Sequence, residues 1–280
     1  NNHKNGDFKP YIYKSTNGGK SWESAASDLP NRGTVYSLVE DPINPDLLFA
    51  GTEFGLFFTL NGGENWAQLK GGLPTIAVKD IAIQERENDL VLATFGRGFY
   101  VLDNYSPLRE LNYVLDQEAA FFSTKPGLLF QRANIGGMGY KGGQHYRSKN
   151  PPMGVTFQLH LAEGATRIKD ARPEANNELP HYPTMDQLRA EDWEETPYLL
   201  YTIKDDQGTE VARFTRGDFK GIERFTWNAK YSSKASINSN GEPKTNPSTT
   251  TFVKPGTYHI SVMRSTNGEL KELISDHEFE

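Results

Sequence analysis

Two eight-residue segments, Ser15-Thr16-Asn17-Gly18-Gly19-Lys20-Ser21-Trp22 and Thr59-Leu60-Asn61-Gly62-Gly63-Glu64-Asn65-Trp66, share one pattern, set 44 positions apart. The Asn-Gly-Gly centre of each supplies the positive φ angles of a tight hairpin between two strands. Leu29-Pro30 recurs as Leu73-Pro74 at the same offset, and Thr52 and Phe57 recur as Thr94 and Phe99 at an offset of 42. Self-similarity at this period, with short strands between turn signals, is the sequence sign of β-propeller blades. Four strands are expected at Val35 to Glu40, Leu47 to Thr52, Gly55 to Leu60 and Asn65 to Leu69. Three more follow at Val78 to Gln84, Asp89 to Phe95 and Gly98 to Asp103. About two repeats are present, and two cannot bury both faces of their sheets or close a ring. Upstream propeller blades of the same protein, or a complementary chain, are therefore expected partners.

The remaining composition agrees with an all-β reading and narrows the chemistry. Gly 26 and Pro 16 together make 42 of 280 residues, which favours many short strands and turns. A net charge of -6 gives no basic field for polyanions, so nucleic acid is not an expected partner. Apolar runs are interrupted by turn residues, and no membrane-spanning segment is expected. Cysteine is absent, which removes disulfides, thiol nucleophiles and cysteine zinc sites. His3, His145, His160, His181, His259 and His277 stand singly, without metal-ligand spacing. Neither a metal nor a cofactor is expected. Residues 1 to 9 contain no initiating Met and no basic region followed by an apolar stretch, so the chain reads as part of a longer one.

The propeller part is expected to cover residues 1–104. Ser106 to Asp116 has Leu108, Leu111 and Leu115 at helical spacing and reads as a short helix within a connector at 105–125. Residues 126–280 alternate like a β-sandwich of immunoglobulin or fibronectin III character. Strands are expected at Val155 to Leu161, Tyr198 to Lys204, Glu210 to Thr215, Phe225 to Asn228 and Gly256 to Val262, with a last hairpin at Asn267-Gly268. A charged insertion at about 169–195 interrupts the pattern, with Thr184 as the N-cap of a short helix. Asn134 to Asn150, rich in glycine, and Ser232 to Thr251, rich in polar residues, read as loops.

The two repeated turns resemble the Asp box, Ser-x-Asp-x-Gly-x-Thr-Trp, of sialidase-type and sortilin-type (BNR repeat) propellers. Ser15, Asn17, Gly19 and Trp22 form one copy, and Thr59, Asn61, Gly63 and Trp66 the other. Both carry Asn in place of Asp, which still accepts hydrogen bonds through its side-chain oxygen. The wider phrasing of Asp41 to Leu56 and Thr94 to Asp103 is similar to large bacterial sortilin-like propeller proteins. So are Asn150 to Gly154, Gly221 to Trp227 and Pro255 to Tyr258. This resemblance implies a secreted, cell-surface or periplasmic protein whose propeller is followed by a sandwich, and it implies a structural role for the Asp boxes.

Candidate ligand contacts lie on the opposite ends of the blade strands. Arg97, between two glycines, offers a planar fork of donors, and Glu53 and Phe54 line the same rim. Glycoside hydrolysis needs two facing carboxylates about 5–10 Å apart, and Glu53 has no second at the equivalent turn, where Phe95 stands. No catalytic residue is assigned. The leading expectation is a non-catalytic extracellular binding or scaffold protein that recognises protein, peptide or glycan. The alternative is the C-terminal portion of a propeller glycosidase whose catalytic groups lie upstream.

Overall fold

A computed structural model of the protein describes residues 2–130, 150–171, 183–232 and 251–280. It is all-β with short helical segments, and it forms two compact units, Asn1–Tyr113 and Val114–Glu280.

The first unit contains three antiparallel sheets. β1 (Tyr13–Lys14) pairs with β2 (Glu23–Ser24). β3 (Val35–Glu40), β4 (Leu48–Thr52), β5 (Gly55–Thr59) and β6 (Ala67–Leu69) form a four-stranded meander. β7 (Val78–Gln84), β8 (Asp89–Thr94) and β9 (Phe99–Leu102) form a three-stranded one. This sequential strand order is that of propeller blades. Every position of β4 and β5 is buried, because the middle sheet has a core on each face. Leu47, Phe49, Leu56 and Phe58 pack with Val78, Ile81, Leu90 and Leu92 on one side. Leu48, Ala50, Phe57 and Trp66 pack with Ile12, Ala25, Ala26 and Leu29 on the other. Burial on both faces explains why these strands read as continuous apolar runs rather than as alternating ones.

At one end of the middle sheet, Asp41 follows β3 and is almost fully buried. It accepts from the Nε and Nη2 of Arg109, from the Tyr105 hydroxyl at 2.6 Å, and from the N–H groups of Ile43 and Asn44. Burial pushes its carboxyl up, but the hydrogen bonds from Arg109, Tyr105, Asn44 and Ile43 outweigh it and hold the group at about 2.

A 3₁₀ turn at Ser106–Arg109 and the helix α1 (Leu111–Leu115) follow β9. Leu108 and Leu111 pack against the core between the second and third sheets, whereas Leu115 is exposed.

The second unit is a two-sheet sandwich. β10 (Ala119–Phe121), β11 (Val155–Leu161) and β14 (Gly221–Trp227) form one sheet. β12 (Tyr198–Asp205), β13 (Glu210–Gly217), β15 (Tyr258–Thr266) and β16 (Glu269–Phe279) form the other, in the order β13-β12-β15-β16. Alternate residues of both sheets share one core: Phe157, Leu159 and Phe225 from the first, Leu199, Tyr201, Ile260 and Phe279 from the second. Strand pairing begins before residue 126, since Ala119 stands opposite Leu161 and Phe121 enters the core.

Gly154, at φ 114°, closes the approach to β11, and a Cβ there would overlap the Trp227 carbonyl. The Tyr258 hydroxyl donates to the Lys254 carbonyl at 2.6 Å and fixes the bend into β15. Within the expected insertion lie α2 (Ile168–Ala171) and α3 (Met185–Trp193). Thr184 caps α3 through a reciprocal pair with Gln187, as its position before the helix predicts. Residues 134–149 of the glycine-rich stretch, 172–182 of the insertion and 233–250 of the polar segment lie outside the described residues.

Candidate functional site

The two Asn-Gly-Gly turns join β1 to β2 and β5 to β6 with the same side-chain network. In the first, Ser15 Oγ accepts from the Gly19 N–H at 2.8 Å, and Asn17 Oδ1 from the Ser21 N–H at 2.9 Å. In the second, Thr59 Oγ1 accepts from the Gly63 N–H at 3.1 Å, and Asn61 Oδ1 from the Asn65 N–H at 3.0 Å. Only the oxygen of the Asn amide is needed for this bond, so Asn serves where a carboxylate would. Gly63, at φ 100°, has Ala25 beneath it, and a Cβ would stand 2.8 Å from the Ala25 carbonyl oxygen.

The two tryptophans differ in burial. Trp66 is 8% exposed and its indole N–H donates to the Ala25 carbonyl at 2.9 Å. Trp22 is 62% exposed. The cover over Trp66 includes Ala25, 41 residues before it.

The opposite ends of the strands carry the candidate site. Glu53 and Phe54 form the turn between β4 and β5, where the Glu53 N–H donates to the Thr34 carbonyl at 3.0 Å. Phe95 to Gly98 form the turn between β8 and β9, where the Phe95 N–H donates to the Ala77 carbonyl at 2.9 Å. Arg97 stands exposed between Gly96 and Gly98, both at positive φ, and Phe54 is exposed on the rim.

Two residues absent from the sequence-based expectation complete the cluster. The Tyr36 hydroxyl donates to Glu53 Oε2. Lys79 Nζ lies over the Tyr36 ring, 3.3 Å from its centroid, and 5.5 Å from that of Phe95. An ammonium this near an aromatic face is attracted by the negative face of the ring.

A matching irregularity in β3 and β7 accompanies this meeting. The register between β3 and β4 steps from Val35↔Thr52 to Ser37↔Gly51 and skips Tyr36, while that between β7 and β8 steps from Val78↔Thr94 to Asp80↔Ala93 and skips Lys79. A bulge leaves one residue unpaired and re-aims its side chain. Tyr36 and Lys79 are 43 positions apart, each second in its strand, and that shared offset is the signal that could have found them. The result is a carboxylate, a phenol and an ammonium in one chain of contacts, with Phe54 and Phe95 exposed beside them. Such a surface can stack an apolar ring and hydrogen-bond its polar substituents.

The second unit carries a groove of about 610 Å³ at one end of its sandwich, lined by Pro126, Trp227, Val253, Pro255, Tyr258 and Phe279 among others. Among the described residues no cluster of three or more His, Asp or Glu is arranged to hold a metal ion, and no helix is long and apolar enough to cross a membrane.

No protein-family model and no curated protein matches the chain. Solved structures do. The extracellular domain of a one-component system from B. thetaiotaomicron is 11% identical over 96% of this chain and 28% of its own, with a TM-score of 0.27. An ancestral GH74 enzyme is 16% identical over 95% and 28%, with a TM-score of 0.28. FLGD from P. aeruginosa is 23% identical over 30% and 52%, with a TM-score of 0.21. The chain therefore spans under a third of the first two and about half of the third. Likenesses this distant carry no argument about its activity.

Proposed function

We propose that this chain is a non-catalytic binding or scaffold part of a larger extracellular propeller protein, recognising a protein, peptide or glycan through the rim of Tyr36, Glu53, Phe54, Lys79, Phe95 and Arg97. The observation that carries the reading is the pair of matched bulges. They bring a donor, an acceptor and a cation together beside exposed aromatic rings, as a ligand rim requires. The shared network of the two Asn-Gly-Gly turns supports a structural part for Ser15, Asn17, Gly19, Thr59, Asn61 and Gly63, in line with the resemblance to Asp-box, sortilin-like propellers. Further blades, upstream in the same protein or on a complementary chain, complete the ring. The sandwich has immunoglobulin-like character of the fibronectin III kind: among the described residues its seven strands divide three and four, and Tyr258 makes a tyrosine corner. Secretion or surface display follows from the family resemblance.

Binding to glycan and peptide arrays tests the rim. Lys79→Ala and Phe95→Ala are each expected to weaken a hit about tenfold or more, since a stacked or cation–π contact is worth about 1–2 kcal/mol. An array without hits, or hits indifferent to both variants, removes the rim as the site. Intact masses of material from the natural source, native and denaturing, test for a longer chain or a tightly held complementary fragment.

One observation favours a variant of the second reading, a propeller glycosidase of the sialidase-like kind with catalytic groups in this chain rather than upstream. Tyr36 is hydrogen-bonded to Glu53, and a phenol beside a carboxylate is a nucleophile beside its base. Turnover of any glycoside, abolished by both Tyr36→Phe and Glu53→Gln, would establish this reading in place of the first.

A further inference from the structure

An asparagine followed by glycine is open to loss of its side-chain amide, because the glycine nitrogen carries no neighbouring Cβ to hinder its approach to the asparagine Cγ. Five such pairs occur in the chain, beginning at Asn5, Asn17, Asn61, Asn240 and Asn267, and all but the fourth lie among the described residues. The reaction needs two groups free to move, the side-chain amide and the backbone N–H of the glycine. The fold holds them to different degrees.

At Asn61 both are held. Its Oδ1 accepts from the Asn65 N–H at 3.0 Å and from the Thr59 hydroxyl at 2.8 Å, and the Gly62 N–H donates to the Asp46 carbonyl at 2.9 Å. At Asn5 the side-chain amide donates to Asn2 Oδ1 at 2.6 Å, and the Gly6 N–H donates to the His3 carbonyl at 3.0 Å. Asn17 is pinned through its side chain at both ends. Its Oδ1 accepts from the Ser21 N–H at 2.9 Å, and its Nδ2 donates to Ser21 Oγ at 2.8 Å.

Asn267 and Gly268 differ from all three pairs. They are the two loop residues of the hairpin between β15 and β16, which Thr266 closes opposite Glu269. Their φ angles of 51° and 82° are those of a type I′ turn, and both residues are exposed. Among the described residues no hydrogen bond engages the Asn267 side chain or the Gly268 N–H. Bringing nitrogen to carbon here needs rotation within an exposed loop tip and no broken side-chain bond.

We infer that Asn267 is a spontaneous deamidation site of the folded chain and converts ahead of Asn61, Asn17 and Asn5. Water and hydroxide are the only co-reactants. Hydroxide takes the Gly268 N–H proton, the nitrogen forms a bond to the Asn267 Cγ, and the side-chain nitrogen leaves as ammonia after taking a proton from water. Water then opens the five-membered imide at either carbonyl. One opening leaves an aspartate, and the other leaves an isoaspartyl link whose backbone runs through the former side chain. Each product adds a negative charge two residues from Glu269. The isoaspartyl link also lengthens the loop by one methylene, which a two-residue type I′ turn does not accommodate.

The test incubates the native 280-residue chain in mildly alkaline buffer made with heavy-oxygen water and maps the peptides by mass spectrometry over time. A parallel sample in urea gives the rate of each pair without the fold. In the folded chain Asn267 is expected to convert about tenfold or more faster than Asn61, whose reaction waits for hydrogen bonds to open. In urea the rates at Asn267 and Asn61 are expected to converge. Asn267→Asp is expected to abolish the leading heavy-oxygen signal and to leave the slower ones unchanged. Three results overturn the inference: equal folded-state rates at Asn267 and Asn61, conversion led by Asn17 or Asn5, or an Asn267 that stays intact in the folded chain over the time in which the urea sample converts it.

Discussion

Arg109 closes a fork on Asp41, with Nη2 2.6 Å from Oδ2 and Nε 3.0 Å from both carboxylate oxygens. The two residues are 68 positions apart, and the pair ties the turn after β3 to the segment that follows β9. Asp41 has no solvent to fall back on, so the pair is held by geometry and by its further bonds to Tyr105, Ile43 and Asn44.

Replacing Arg109 with Met leaves a buried carboxylate without its cation. The expected loss is about 3–5 kcal/mol from the unfolding transition of the first unit, the cost of an uncompensated buried charge. Urea denaturation followed by Trp66 fluorescence measures it. An unchanged midpoint would mean that Tyr105 and the two N–H groups hold Asp41 unaided.

The same pair makes the first unit sensitive to acid. The folded Asp41 carboxyl lies at about 2 against an ordinary 3.8, so its contribution is complete above about pH 4 and is lost as the pH falls toward 2. The difference corresponds to about 2 kcal/mol. Thermal melts from pH 5 to pH 2 are expected to show a decline that is shallower in Asp41→Asn, which has no proton to gain. Parallel declines would assign the acid sensitivity to other carboxylates.

Trp66 and Trp22 stand at equal places in the repeat and differ in worth. Trp66→Ala removes a buried ring and its hydrogen bond to Ala25, at an expected cost of about 3–5 kcal/mol. Trp22→Ala removes an exposed ring and is expected to cost under about 1 kcal/mol. Denaturation midpoints of the two variants decide, and equal losses would mean that Trp22 is covered in solution.

What the sequence disclosed follows from how local each feature is. β4 and β5 are legible because burial on two faces writes itself as an unbroken apolar run, and the turns at Asn17 and Asn61 because positive φ demands glycine. Thr184 is legible because a cap and its Gln187 partner are three residues apart. The different exposure of Trp22 and Trp66 is not legible, because burial belongs to the neighbouring sheet and not to the pattern that carries the ring. Tyr36 and Lys79 escaped because a bulge changes where a side chain points without changing the strand's composition. The Asp41, Tyr105 and Arg109 knot escaped because its members are 64 and 68 positions apart from Asp41 and no periodicity joins them.

Tyr201 offers a test of the sandwich core. Its ring is fully buried and stacks on Phe214 with centroids 5.1 Å apart, while its hydroxyl has no hydrogen-bond partner among the described residues. Burial pushes its phenol up, so it stays protonated at neutral pH and its hydroxyl remains a desolvated polar group. An unpaired buried hydroxyl costs about 1–3 kcal/mol, and Phe keeps the ring while removing that cost. Tyr201→Phe is therefore expected to leave the second unit as stable as before or to stabilise it by about 1 kcal/mol. A loss of more than about 1 kcal/mol in the denaturation midpoint would mean that the hydroxyl has a partner after all, either a bound water or a residue outside those described.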